Sequence, residues 1–365
     1  MASARVMDLI GSTPRLTVEV TASIPAEMLI GLLKFSMQDS EETFDVGATW
    51  FEEVRKKASP ELMDALRAAE HDGIQPAGDL IGLALEPPAC SDVPAFLRRV
   101  REMEADELWL AVAGYHVVPL RERVGAEVYA RAAAGEADAR QAIVESVRQL
   151  DRDSDESLGL TPRLELGVAD AKALILQILE RWYEDVFRAT EAETQAILVR
   201  DVDAKRAMAS RLSPEALIEA ATNGLEFRRE PWARRVILVP HVALRPWNTM
   251  SGWEELYILG YPVADESLGV DTSAPPASLL RLHKALGDEK RLRMLKILAG
   301  GSTSLQQLAH ATGLAKSSAH HHLVILRAAG LVRVTTGEES IYTLRRDFIP
   351  EASEMLGTFL EGRPS

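Results

Sequence analysis

The chain has 365 residues, a formal net charge of −14, 47% hydrophobic residues and 26% charged ones. This length favours two domains, and the composition is that of a folded globular chain, which argues against extensive disorder. The single cysteine, Cys90, excludes an internal disulfide framework and any cysteine-cluster metal site. With neither a signal-peptide core nor an apolar stretch of about 20 residues, the sequence predicts a cytoplasmic protein with no membrane partner.

The charge is unevenly distributed. Residues 275–365 hold 12 Lys/Arg against 8 Asp/Glu, whereas residues 1–274 hold 29 against 47. A basic module attached to an acidic body indicates a separable interaction domain. Residues 271–277 (DTSAPPA) are small, polar and proline-rich, which predicts a linker. We therefore divide the chain into an acidic body (residues 1–270), the linker, and a basic C-terminal module (residues 278–365).

The first part of the body is predicted to be mostly helical. A strand is predicted at residues 15–20 (RLTVEV), which alternate, and helices follow up to about residue 223. The acidic residues 151–156 predict a solvated loop. Ser213 and Pro214 open a further helix, which Asn223 and Gly224 end. The other predicted helices cover residues 26–37, 60–72, a segment capped by Asp92, 136–150, and a long or broken helix at 170–211.

The end of the body changes to β-type patterns. Residues 234–241 (RRVILVPH) and 256–263 (LYILGYPV) are strong apolar runs. Together with residues 15–20 they predict a small antiparallel sheet on a helical body. The expected fold class is therefore mainly α with small β elements, followed by the C-terminal module.

A set of polar and aromatic residues lies within these two apolar runs and in the segment that joins them. Rings combined with a few orienting polar groups are suited to a small-molecule pocket. Aromatic rings also routinely cover a sheet against helices, and this alternative stays open. The candidate ligand-binding residues are His241, Arg245, Trp247, Asn248, Trp253, Tyr257 and Tyr261.

The module is predicted to be a winged helix-turn-helix. Asp288 and Ser304 each cap a helix, and Gly313 supplies the conformational freedom of the tight turn. The next helix, residues 316–329, turns Ala319, Leu323 and Leu326 inward. Alternating strands at residues 331–336 and 340–344 are joined by residues 337–339 as a wing, and a last amphipathic helix covers residues 349–360.

This stretch resembles the ArsR/SmtB-type bacterial transcription regulators. The likeness is carried by LHKALGDEKRLRMLKILAGG, SLQQLAHATGLAKSSAHHHLVILRAAGLVRV and SIYTL. It implies a homodimer, held by the first and last helices of the module, that places two recognition helices in successive major grooves of double-stranded DNA. The residues implied to meet the groove are Lys316, Ser317, Ser318, His320 and His321, and those implied to meet phosphate or the minor-groove edge are Arg327, Arg333 and Thr335.

The departures from this family concern metals. Many members bind metal through cysteines in the first helix of the helix-turn-helix, but residues 302–308 (STSLQQL) hold no thiolate. Other members use histidines on the last helix, which here offers only carboxylates. His320, His321 and His322 are consecutive, so their side chains point about 100° apart on a helix and cannot chelate one ion. We therefore expect no metal site and no cofactor.

The body has a weaker resemblance. Residues 223–227 (NGLEF), 235–241 (RVILVPH) and 261–263 (YPV) resemble an uncharacterised N-terminal domain fused to some ArsR-type regulators. This resemblance implies no ligand and no catalytic residues. The sequence also lacks the motifs GxGxxG, GxxxxGK[ST], GxSxG and HExxH, so we expect no enzyme.

The function favoured is a DNA-binding transcription regulator whose body senses a small-molecule effector or a protein. One alternative is a ligand-independent DNA-binding dimer. Another, with less support, is an enzyme fused to a DNA-binding domain.

Overall fold

The computed structural model describes residues 17–37, 43–45, 47–153, 163–225, 227, 230–269, 274–335 and 340–361. This part of the chain is mainly helical with small sheets, as predicted. The body helices are α1 (Ile24–Ser36), α2 (Gly47–Lys57), α3 (Pro60–Asp72), α4 (Pro76–Asp79), α5 (Ile81–Leu85), α6 (Val93–Glu102), α7 (Ala105–Val112), α8 (Val118–Val124), α9 (Ala126–Ala133), α10 (Ala137–Asp153), α11 (Val168–Trp182), α12 (Glu191–Ala209) and α13 (Pro214–Ala221). The body strands are β1 (Thr17–Val20), β2 (Arg235–His241), β3 (Thr249–Trp253) and β4 (Leu256–Pro262).

Several helix ends are determined by local side chains. Asp92 Oδ1 accepts a hydrogen bond from the N–H of Ala95 at 2.7 Å, which confirms the predicted cap of α6. Ser213 caps α13, and Asn223 and Gly224 end it with φ values of 55° and 103°. The predicted long or broken helix is a broken pair, because a π-helical segment, Tyr183–Phe187, follows α11. The predicted acidic loop is wrong at residues 151–153, which continue α10, and residues 154–156 lie outside the described residues.

The body sheet corrects the predicted strand directions. Its order is β1-β2-β4-β3, and β1, β2 and β4 are parallel, so the antiparallel sheet that we predicted is wrong. Strands β2 and β4 are parallel because a further strand, β3, lies between them in the sequence and pairs antiparallel with β4. The hairpin from β3 returns β4 beside β2, in the same direction as β2. Both strands are buried almost throughout, as parallel strands covered on both faces are.

The sheet separates two apolar clusters of the body. On one face, Ile237, Val239 and Ile258 join the main core with side chains of α1, α5 and α11. On the other face, Val236, Leu238 and Leu259 pack with side chains of α12 and α13. Any residue of β2 or β4 therefore belongs to one of these two environments, according to its position in the alternation.

The C-terminal module has a core of its own, which includes Leu282, Met294, Leu308, Leu323 and Tyr342. Its strands pair antiparallel in the order β5-β7-β6. Residues 337–339, predicted to join β6 to β7, lie outside the described residues. Across the described helices of the whole chain, none is long and apolar enough to span a bilayer. The elements of the module are α14 (Ala277–Leu286), α15 (Glu289–Leu298), β5 (Thr303–Ser304), α16 (Leu305–Thr312), α17 (Lys316–Ala328), β6 (Val332–Thr335), β7 (Ile341–Leu344) and α18 (Phe348–Leu360).

Candidate nucleic-acid interface

The turn between α16 and α17 is fixed by hydrogen bonds and by one glycine. Ser304 and Gln307 form a capping box at the start of α16, with each side chain accepting from the backbone N–H of the other residue. Gly313 ends the helix at a φ of 66°, a left-handed conformation that strains other residues. The N–H of Leu314 then donates to the carbonyl of Ala309 at 3.0 Å. These contacts hold the start of α17 at a defined angle to α16.

Helix α17 has one buried face and one exposed face. Ala319, Leu323 and Leu326 are each 0% exposed and pack into the core of the module. The candidate DNA residues on the other face differ in exposure, since Lys316, Ser317, Ser318 and His321 are exposed and His320 is half-buried. The structure thus brings the groove-facing candidates together on one accessible surface.

The N-terminus of α17 is suited to an anion. In the described structure its N-cap residue, Ala315, makes no side-chain capping bond, so the N–H groups of the first turn are available to an external acceptor. Lys316 is the first residue of the helix and adds a positive charge there. Backbone N–H groups, the helix dipole and a lysine together favour a phosphate oxygen.

The three remaining DNA candidates are less accessible. Arg327, near the end of α17, is half-buried, and Thr335, the last residue of β6, is only 7% exposed. Arg333 of β6 is half-buried and forms an ion pair with Glu219 of α13 in the body. Sequence reasoning missed this contact, because 114 residues separate its two partners.

The three consecutive histidines lie in different surroundings. His322 Nδ1 lies 4.0 Å from Asp288 Oδ1, and burial lowers the pKa of His322 against the opposing effect of that carboxylate. His321 is exposed, and His320 has its Nε2 buried. Within the described part of the chain, no three His, Cys, Asp or Glu side chains are grouped to hold a metal ion.

A family model described as "Bacterial regulatory protein, arsR family" matches residues 288–334, which contain α15, α16, α17 and most of β6. No curated protein matches the chain. The match supports an ArsR-type helix-turn-helix domain at the C-terminal end, and such a domain indicates DNA-binding transcription regulation. It leaves the body uncharacterised.

In the body, the sheet divides the candidate ligand-binding residues. Trp253 belongs to the main core, and His241 shares its face of the sheet. Tyr257 and Tyr261 pack on the opposite face, where Tyr257 contacts the rings of Phe227 and Trp232. Asn248 Nδ2 donates to the carbonyl of Thr222, just after α13, at 2.8 Å. Trp247 packs against the main core, and its Nε1 donates to the Thr43 hydroxyl at 3.3 Å. The seven residues are therefore divided between the two faces of the sheet and do not form one site.

Arg245 lies in a buried ionic network that reaches the module. Arg245 is 4% exposed, and its guanidinium pairs with Asp265 and with Asp45, the latter with Nε 3.2 Å from Oδ2. Asp45 also pairs with Arg281 of α14, and Asp265 accepts hydrogen bonds from the N–H and hydroxyl of Ser278 at 3.1 and 2.6 Å. Burial alone would raise the pKa of Asp265, but the charge of Arg245 and these hydrogen bonds lower it. Sequence reasoning found only Arg245 among these five residues.

His241 is fully buried beside this network. Burial, assisted by the charge of Arg245, lowers the pKa of His241 to about 3, so the imidazole is neutral near neutral pH. Neither ring nitrogen makes a hydrogen bond of good geometry with the residues that the structure describes, although backbone groups at Trp247 and at His241 itself oppose the fall in pKa.

Proposed function

We propose that this protein is a transcription regulator that binds double-stranded DNA as a cytoplasmic homodimer, without a metal or cofactor, and that its body senses a small-molecule effector. The observation that carries the proposal is the exposed polar face of α17, on a helix-turn-helix that resembles the ArsR type. Lys316, Ser317, Ser318 and His321 lie together on that face and are suited to contact base edges and phosphates in a major groove.

The charge distribution supports this orientation. The module carries an excess of basic residues, whereas residues 1–274 hold 47 Asp/Glu against 29 Lys/Arg. Most of the acidic surface of the body must then face away from the duplex, because like charges repel at close range. DNA contacts come from the module, and β6 with β7 acts as the wing.

The homodimer is supported by apolar side chains that the module leaves exposed. In the described chain, α18 has no fully buried residue, although it contacts α14. Leu356 and Leu360 of α18 are 42% and 73% exposed, and Leu280 of α14 is 48% exposed. These two helices are the ones that the family resemblance assigns to the dimer interface. A second copy of the chain would cover their leucines and remove them from water.

Effector sensing is supported by the position of two buried polar side chains. His241 and Arg245 share one buried region, and the ionic network of Arg245 continues to Arg281 and Ser278 at the start of the module. A ligand that binds there with different affinity in two arrangements would shift the orientation of α14. The alternative of a ligand-independent dimer is favoured by Trp253 and Tyr261, which are core residues.

One experiment separates these two functions. Small molecules that co-purify with the native protein are first identified by mass spectrometry. Binding of the protein to DNA from upstream of its own gene is then measured by gel shift, with and without each of these molecules. We expect specific DNA binding that a co-purified molecule strengthens or weakens. DNA binding that no co-purified molecule changes would favour the ligand-independent dimer, and no specific binding would contradict the proposed function.

A further inference from the structure

The end of α13 is docked against the wing strands at a contact that we call the seam, formed by Glu219, Asn223, Arg333 and Arg345. The Glu219 carboxylate pairs with the Arg333 guanidinium of β6. Arg345, directly after β7, donates from Nη1 to the carbonyl oxygen and to Oδ1 of Asn223 at 3.1 and 2.8 Å. The body thus holds both strands of the wing through arginines.

The backbones at the seam are tightly packed. A Cβ atom placed on Gly224 would lie 2.6 Å from Arg345 Cδ, and one on Gly330 would lie 2.9 Å from Asn223 Nδ2. Both glycines also have positive φ angles, of 103° and 72°. Only glycine allows the backbone to approach the neighbouring side chains this closely at both positions. The Glu219–Arg333 pair is therefore part of a closely packed contact between the body and the module.

The two guanidiniums of the seam lie close enough to interact, with carboxylates of both the body and the module around them. Burial lowers the pKa of Arg345, and the neighbouring charge of Arg333 acts in the same direction, while Asp347, Glu219 and Glu351 oppose it. The Nε atoms of Arg333 and Arg345 are both buried and have no hydrogen-bond partner within the described structure. A half-buried guanidinium such as that of Arg333, held by a single carboxylate, is suited to exchange that carboxylate for another anion with several oxygens, such as a backbone phosphate.

We propose that Glu219 is an autoinhibitory group, which occupies on Arg333 the position that a DNA phosphate takes when the wing engages the duplex. This inference rests on the proposed DNA-binding function. DNA must displace the Glu219 carboxylate before Arg333 can contact the backbone, so the pair lowers DNA affinity. The same end of α13 is held on its body side by Asn248, which donates to Thr222, so a change in the body can reach the seam through α13.

The test compares the DNA affinity of the Glu219→Gln variant with that of the wild type, both full-length, on a DNA duplex from upstream of the gene that encodes this protein. The matched control is Glu215→Gln, which removes the same charge from an exposed position on the same helix. We expect Glu219→Gln to bind roughly two- to fivefold tighter than Glu215→Gln, the range of one partly exposed ion pair. Its affinity should also depend more steeply on salt, by about one phosphate contact, because Arg333 is free to pair with DNA.

A second substitution completes the test. In an Arg333→Gln background, Glu219→Gln should no longer change affinity, because the partner that it releases is absent. Equal affinities of Glu219→Gln and Glu215→Gln, with folding confirmed by circular dichroism, would overturn the inference while leaving the proposed function intact. Weaker binding by Glu219→Gln would also overturn it, since Glu219 would then position Arg333 for DNA. Failure of the wild type to bind DNA would overturn both proposals.

Discussion

The Trp253 indole stacks on the His116 imidazole, with ring centroids 3.9 Å apart and planes 19° from parallel. The next residue, Glu254, accepts hydrogen bonds from His116 Nδ1 at 2.8 Å and from Arg121 Nη1 at 2.6 Å. These contacts attach the β3–β4 turn to α8 and to the segment that precedes it. Trp253 therefore packs inside the body and stabilises it.

This arrangement predicts a loss of stability on substitution. Trp253 is 3% exposed and packs directly over Gly82, so Trp253→Ala leaves a large cavity in the main core. We expect the free energy of unfolding to fall by about 3–5 kcal/mol, measured by urea denaturation. Trp232→Ala, at a half-buried ring, should cost clearly less. Equal losses for the two variants would contradict this role for Trp253.

The exposed face of α17 predicts that a variant can lose DNA affinity and still fold. Lys316→Ala combined with His321→Ala removes two exposed side chains without disturbing the buried face. Binding to the upstream duplex should weaken, and its dependence on salt should become less steep, because at least one phosphate contact is lost. The thermal midpoint should stay near that of the wild type. Lys56→Ala, at an exposed lysine of α2, is the control and should leave DNA affinity unchanged.

Indifference to metals is the third prediction. Residues 302–308 hold no cysteine, and α18 holds no histidine. Neither chelators nor micromolar zinc, copper or cadmium should therefore change DNA affinity in a gel shift. A metal ion bound in stoichiometric amount that alters affinity would show that this chain has a site outside the two positions familiar in the family.

The fourth prediction concerns the pH dependence of stability at Glu27. This carboxyl is fully buried and accepts hydrogen bonds from the N–H groups of Val242 and Ala243. Burial raises the pKa of Glu27 from 4.5 to about 8, although those hydrogen bonds and the charge of Lys34 oppose the rise. Between pH 4.5 and 8 the folded state therefore holds a proton that the unfolded state has released. The contribution of Glu27 to stability is complete below pH 4.5 and is lost as the pH rises toward 8.

Glu27→Gln should remove this loss, because the amide oxygen still accepts from both N–H groups and carries no charge. The stability of the wild type relative to Glu27→Gln should fall between pH 5 and pH 8, by at most about 1.4 kcal/mol per pH unit. Denaturant unfolding of both proteins across this range measures the difference. Glu70→Gln, at an exposed position on α3, should show no such trend. A constant difference between wild type and Glu27→Gln would contradict the assignment.

Local features of the fold were predictable and long-range ones were not. The cap at Asp92, the ends of α3 and the turn at Gly313 depend on residues a few positions apart, so the sequence contains their cause. Strand direction depends on β3, whose segment TMSGW shows no apolar alternation, and it was predicted wrongly. Since the register was unknown, so was the face of the sheet on which each candidate ligand residue lies.

The charged contacts between body and module are also long-range, and the sequence did not predict them. Arg281 and Asp45 are 236 residues apart, and Arg333 and Glu219 are 114 apart. No spacing pattern connects residues so distant, because their proximity is created by the whole fold. The sequence could group the candidate DNA-binding residues of α17 because one helix and one turn place them, whereas the charged contacts of the body with the module required the structure.

The pairing of Thr17 with Arg235 has a consequence for how the protein is made. A ribosome must synthesise more than two hundred residues after β1 before β2 emerges to meet it. Loop closure over such a distance is entropically costly, and topologies rich in distant contacts fold slowly. The contacts within the module, by contrast, join segments that are much closer in the chain, even where α14 meets α18. We therefore expect newly made chains to complete the module soon after it emerges, while the N-terminal strand is among the last parts of the body to settle.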